Sequence, residues 1–345
     1  MKKNLLNIAK YIIFASIGGG LFWLAVRNED PANIREILSE ANYWWVLLAV
    51  FVALFSHLSR AIRWNLLLRS MGYQARNATT FWAVMVGYFA NLAVPRLGEV
   101  TRAGIVSKSY SIPVDKVFGT VIVERLLDLI CLVVLFIAAI LFQLDLLGDF
   151  VDKNILGPLS GKMSSSGLIL VGAMIFLLLI AILVYILLKR YQEKLSGYKM
   201  FALYYRLQAG FLEGIKSIRQ IKNLKAFIFH TVIIWLGYIS MIYFSFFCLP
   251  ETSHFNFVDA VTIMAIGSFG VVAPAPGGIG AYQFIVTMLL IEVYKLNSTV
   301  AVTFANISFF SQWLMMIGMG LISLLVLFFI SKRKKSHENI GNHSE

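Results

Sequence analysis

Residues 79–112 read TTFWAVMVGYFANLAVPRLGEVTRAGIVSKSYSI, and the way this stretch meets a lipid bilayer decides the fold. Its first sixteen residues are apolar enough to enter hydrocarbon, but Pro95 and Gly98 then interrupt the helix: proline removes a backbone donor and clashes with the preceding turn. At 1.5 Å rise per residue each arm reaches only about 21–24 Å, short of a hydrocarbon core of roughly 30 Å. Either the stretch crosses once, or it dips in, turns at Pro95–Gly98 and leaves where it entered. Lys and Arg mark the cytoplasmic side of membrane proteins. A single crossing would send outside the segment 189–225, which carries nine Lys and Arg. A hairpin keeps it inside, together with Arg60, Arg63, Arg69, Arg76 and the basic run Lys332–Lys335.

The rest of the chain fits this reading. Of its 345 residues 59% are hydrophobic and 14% charged, a mixture that needs lipid as part of its solvent. Full spans are expected at about 10–26, 43–68, 117–142, 167–188, 225–249 and 299–330. Residues 258–294 break in the same manner as 79–112, at Pro274, Pro276, Gly277, Gly278 and Gly280, and dip in from the opposite face. The expected fold is therefore an all-α polytopic membrane protein, with about six full spans and two re-entrant hairpins, 79–112 and 258–294. Span, hairpin and span then repeat with inverted topology, the sequence pointer to a transport site near the membrane midplane. Residues 1–335 form one transmembrane domain with both termini cytoplasmic; 199–224 read as an amphipathic helix on the cytoplasmic surface or an extension of the next span, and 336–345 as a disordered tail.

The net charge of +12 lies beside apolar segments, so it fits anionic lipid headgroups rather than nucleic acid. Cys131 and Cys248 each sit inside an apolar run, giving neither a disulfide framework nor a metal pair, and no HExxH, Walker or GxSxG pattern occurs. No catalytic set, metal or cofactor is expected.

Three constellations could carry chemistry. Pro95, Arg96, Gly98, Glu99 and Arg102 join a fresh helix N-terminus to two guanidinium groups that match phosphate oxygens; the alternative is a loop whose arginines touch headgroups. Glu124, Arg125 and Asp128 begin about 12 Å into their span, where ionisable groups are costly unless paired or wet. They relay protons, face Arg96 and Arg102 across a headgroup cavity, or form a structural salt bridge. Gly277, Gly278 and Gly280 precede another helix N-terminus, an anion-binding arrangement or a purely structural turn. His57, Arg60, Arg63 and Trp64 read as interfacial anchors.

VPRLGEVTR (94–102), VERLLD (123–128) and APGGIGAYQ (275–283) together resemble the lysylphosphatidylglycerol synthase transmembrane family, the flippase-like proteins, over about residues 10–330. The resemblance implies a lipid-translocating membrane domain, and it implies that Arg96, Glu99, Arg102, Glu124, Arg125 and Asp128 are motif positions. Two departures stand out. Gln283 occupies a place where members often carry an acid, and the sequence ends soon after Lys335 with no aminoacyl-transfer domain, so lysyl transfer from tRNA is not expected of it.

The expected function is a lipid flippase or headgroup-binding transporter whose partners are membrane lipids with anionic headgroups. Phospholipids, aminoacylated lipids and polyprenyl-linked sugars all remain candidates. The alternatives are a membrane-embedded enzyme acting on lipid phosphates, with Glu124 or Asp128 as base, and a scaffold for a separate lipid-modifying enzyme.

Overall fold

The computed structural model describes residues 16–143, 221–272 and 275–341. Its helices in chain order are α1 (Ser16–Val26), α2 (Pro31–Glu40), α3 (Tyr43–Ser70), α4 (Asn77–Ala93), α5 (Leu97–Tyr110), α6 (Val114–Phe142), α7 (Leu224–Phe246), α8 (Phe257–Val272), α9 (Ala281–Glu292) and α10 (Ser298–Gly341). Four of them, α3, α6, α7 and α10, are long and apolar enough to cross a membrane. The protein is a polytopic α-helical membrane protein. Along α6 the outward face carries Leu129, Ile130, Val133, Val134, Ile137 and Leu141, all exposed, a stripe only lipid can cover at low cost.

Local sequence explains the helix ends. Asn42 caps α3 by accepting the Trp44 N–H, and α3 stops at Gly72, whose φ of 85° suits glycine alone among the common residues. Asn223 caps α7 through the Ala226 N–H, after a non-helical stretch at 221–223. Residues 199–220 of the expected amphipathic helix and the expected span 167–188 lie outside the described residues. Helix α2 was not foreseen, although Asp30 as N-cap, Pro31 at the first position and Ile34, Ile37 and Leu38 at helical spacing announce it. At the other end α10 runs as helix through Gly341, beyond Lys335 where a disordered tail was expected. No proline or glycine interrupts residues 321–340, and Lys, Arg and Glu are good helix formers.

Both broken segments form helical hairpins, α4–α5 and α8–α9. Each is tied at its open end by a tyrosine. Tyr110 accepts the Arg76 N–H at 2.9 Å; Tyr294 acts through Gln143 at the end of α6, donating to its Oε1 at 3.1 Å while Gln143 donates to Asp259 and accepts from Thr262 on α8, and burial with Asp259 beside it holds that phenol above its ordinary range. The two halves are wrapped into each other. Helix α3 lies antiparallel against α7, from Asn42 N bonded to Cys248 O at one end to Ser59 Oγ against His230 Nδ1 towards the other. The crossing is tight, since a Cβ on Gly237 would come 2.8 Å from that of Ser56. Exchanging α3 with α7, α4 with α8, α5 with α9 and α6 with α10 turns α3–α4, α5–α6, α3–α6 and α4–α10 packing into α7–α8, α9–α10, α7–α10 and α8–α6, all of which exist. This reciprocity, with α3 and α7 antiparallel, is the inverted repeat. The hairpin tips converge, so that a Cβ on Gly277 would meet Leu92 at 3.1 Å and Trp313 at 2.8 Å.

Candidate functional site

The site starts from three arginines on two helices. Arg60 and Arg63 are one turn apart on α3, and both are buried, 2% and 0% exposed. They are not interfacial anchors. Their partner is Asp128 on α6, whose Oδ2 accepts from Arg60 Nη1 and whose Oδ1 accepts from Arg63 Nη2, each at 2.7 Å. Arg60 also donates to the Tyr238 hydroxyl on α7 through Nε and Nη2, at 3.3 and 3.1 Å. Tyr238 in turn stands 3.5 Å from the Tyr88 hydroxyl on α4. Arg63 Nη1 reaches Thr231 on α7 at 3.4 Å. One carboxylate thus joins α3 to α6, and the arginines carry the connection on to α7.

The third arginine, Arg102, projects from α5 towards Glu124 on α6, with Nη1 and Oε2 2.8 Å apart and both side chains enclosed. Its guanidinium lies over the Trp64 ring, 4.8 Å from the centroid. Trp64 is fixed by its own bond to Thr120 at 2.8 Å, so it too is a core residue and not part of an interfacial belt. Arg63 Nη2 approaches the other Glu124 oxygen at 3.5 Å. The outer edge is formed by Arg125, 3.7 Å from Glu99 and 3.9 Å from Asp128.

The two carboxylates in the interior are used differently. Both Asp128 oxygens are engaged in short bonds with good geometry. Among the described residues neither oxygen of Glu124 accepts a hydrogen bond and neither terminal nitrogen of Arg102 donates one; the pair is held by charge at 2.8 Å. Counting Arg60, Arg63, Arg102 and Arg125 against Glu99, Glu124 and Asp128, the cluster holds one positive charge in excess. Asp128 is the structural anchor, and Arg102 is the guanidinium with donors to offer.

Of the residues expected here, Glu99, Arg102, Glu124, Arg125 and Asp128 come together; Arg96 does not. It occupies the α4–α5 turn with φ of 64° and is exposed, since the left-handed conformation that reverses the chain aims its side chain outward. Gly277, Gly278 and Gly280 belong to the opposite hairpin tip, where all three have positive φ. The amides of Gly278, Ile279 and Gly280 are bonded within the turn, to Ala275 O, Pro276 O and Gln283 Oε1. The turn is packed against Leu92, Trp313, Val271 and the Gly18 carbonyl of α1. Sequence reasoning did not assign Tyr88 or Tyr238 to the site and read Arg60 and Arg63 as anchors. Two arginines three residues apart, with a span of apolar residues before them and an aspartate deep in another span, were the available signal.

Known proteins place the chain in a family. A UPF0104 membrane protein of Methanocaldococcus jannaschii is 33% identical over 99 residues, 28% of this chain and 30% of that one. Glycosyltransferase AglD of Haloferax volcanii is 30% identical over 102 residues, 29% of this chain and 16% of that one. A UPF0104 membrane protein of Pyrococcus horikoshii is 29% identical over 150 residues, 42% of each. The chain therefore spans less than half the length of each of these relatives. No solved structure matches it. The family described as the lysylphosphatidylglycerol synthase TM region matches residues 7–332, nearly the whole of the helical bundle that builds the buried arginine cluster, and the chain belongs to that family.

Proposed function

We propose that this protein moves an anionic lipid headgroup between leaflets, with Arg102 as the phosphate seat. The observation that carries the proposal is the unsatisfied Arg102–Glu124 pair inside a cluster with one excess positive charge. A guanidinium matches phosphate oxygens bidentately, and a phosphodiester would neutralise the excess. Charges at the bilayer centre cost about 2.5–3.5 kcal/mol each by insertion scales, so a cationic cluster that cancels the phosphate charge removes the main barrier while the acyl chains stay in lipid. Glu124 holds Arg102 and yields it to the phosphate, or takes the ammonium of an aminoacylated headgroup. Rocking of the two halves about the tight α3–α7 crossing would expose the cluster to each leaflet in turn. In this arrangement the protein resides in the cell membrane with both termini cytoplasmic, and the hairpins enter from opposite faces. The partial match to a glycosyltransferase keeps glycosylated lipids beside phospholipids among the substrates.

The seat is tested by thermal stabilisation of the purified protein with short-chain phosphatidylglycerol, since a ligand that binds the folded state raises its stability. Loss of one charge-assisted contact of about 1.5–3 kcal/mol predicts that Arg102→Ala binds roughly ten- to a hundred-fold more weakly. Arg102→Lys should recover part of that loss. Equal stabilisation of wild type and Arg102→Ala would contradict the assignment.

The enzyme reading has one observation in its favour: Ser59 Oγ lies 2.7 Å from His230 Nδ1, the spacing of a nucleophile and its base. It predicts headgroup turnover by the pure protein, which translocation does not.

A further inference from the structure

The outer edge of the cluster lies where lipid should be. On α6, Leu126, Leu129 and Ile130 are 42%, 55% and 52% exposed, and on α5 Leu97 and Val100 are 41% and 55% exposed. Among these apolar residues stands Arg125, its side chain 42% exposed, eleven residues into α6 and so roughly 16 Å from that helix's start. A guanidinium on a lipid-facing surface at such depth is expensive. An arginine serving structure alone would be turned inward, as Arg60 and Arg63 are.

Its partner holds it loosely. Arg125 Nε and Glu99 Oε1 are 3.7 Å apart, beyond hydrogen-bond length, and among the described residues the second Glu99 oxygen accepts no hydrogen bond. Behind the pair, burial deepens in steps. Side-chain exposure is 42% at Arg125, 20% at Glu99, 12% at Asp128, 4% at Arg102 and zero at Glu124. Charge contacts connect these groups without a gap, from Arg125 to Asp128, Arg63, Glu124 and Arg102. A phosphate drawn to Arg125 from the bilayer would meet, at the outer and inner ends of this chain of charges, a guanidinium held to its carboxylate by charge alone, Arg125 first and Arg102 last.

We propose that the Glu99–Arg125 pair is a lateral gate between α5 and α6, through which a lipid phosphate enters from the bilayer by taking Arg125 away from Glu99. The proposal rests on the reading of Arg102 as the inner seat. Glu99 keeps the gate shut by neutralising Arg125, and Arg125 is the first group the phosphate meets. The two residues therefore have opposite effects on the rate, although they form one ion pair. A purely structural pair would slow the protein whichever partner was removed.

The test is leaflet exchange of a fluorescent phosphatidylglycerol in liposomes holding the full chain. Glu99→Gln should speed exchange about two- to five-fold, the range set by breaking one partly exposed ion pair. Arg125→Gln should slow it about ten-fold or more, and the double exchange Glu99→Arg with Arg125→Glu should return most of the wild-type rate. Slowing by both single variants without recovery in the double, or wild-type rates in all three while Arg102→Ala is inactive, would overturn the gate and leave the inner seat standing. No exchange by the wild type above protein-free liposomes would overturn the seat and the gate together.

Discussion

Asp128→Asn is expected to destabilise the protein by about 3–5 kcal/mol, the cost of removing one partner from a buried ion pair, and to lower its unfolding temperature sharply in detergent micelles. The size follows from geometry. Each Asp128 oxygen accepts one guanidinium at 2.7 Å, so a single substitution leaves two buried arginines on α3 without a full counter-charge. An asparagine oxygen still accepts a hydrogen bond but carries no charge to offset them. The companion variant makes the cause plain: Arg60→Met, Arg63→Met and Asp128→Leu together remove all three charges, and should be far less harmful than Asp128→Asn alone, because well-packed apolar groups replace a buried ion set at little cost. Wild-type stability in Asp128→Asn would mean that the α3–α6 connection is held by packing.

The second large effect is expected at Gly98. A Cβ there would collide with the Gly87 carbonyl oxygen of α4, and because the obstacle is backbone no change of rotamer relieves it. The Gly98 N–H is also held by Asn91 Oδ1 at 2.6 Å, so α5 cannot slide away without losing the bond that starts it. Gly98→Ala should exceed the usual 1–3 kcal/mol of an overpacked site. It should also abolish lipid binding, since moving α5 carries Arg102 away from Glu124. Gly104→Ala on the same helix is the control. Among the described residues nothing lies within 4 Å of a Cβ there, and alanine should stabilise the helix by about 0.5–1 kcal/mol. Circular dichroism and thermal unfolding of the two variants side by side separate a local collision from a general dislike of substitution in α5.

The hairpins were legible in the sequence because three independent constraints agreed: arms too short to cross, a proline that stops the helix, and basic loops that had to stay on one side. The close approach of Gly87 to Gly98 was not legible, since two glycines eleven residues apart say nothing of a meeting until the turn between them is built. Glu99, Arg102, Glu124, Arg125 and Asp128 were recognisable as charges where charges are costly. Their partners were not. Asp128 is paired with arginines 65 and 68 residues away in the chain, and Tyr238 reaches Arg60 across 178 residues, so position near a helix end suggested an interfacial role for Arg60 and Arg63 that the fold overrules. Arg96 shows the converse, a residue of suitable chemistry that a left-handed backbone turns away from its neighbours. Helix α2 escaped assignment because its ten residues, with Arg35, Glu36 and Glu40 among them, are too few and too charged to register as a span.

The most direct test of the central claim is leaflet exchange of fluorescent phosphatidylglycerol in liposomes holding the wild-type protein, Arg102→Ala or Glu124→Gln, with folding verified for each. Exchange by the wild type well above protein-free liposomes, falling to the protein-free rate in Arg102→Ala, is the predicted result. A folded Arg102→Ala protein that exchanges the lipid at the wild-type rate would contradict the assignment of the buried cluster as the headgroup seat.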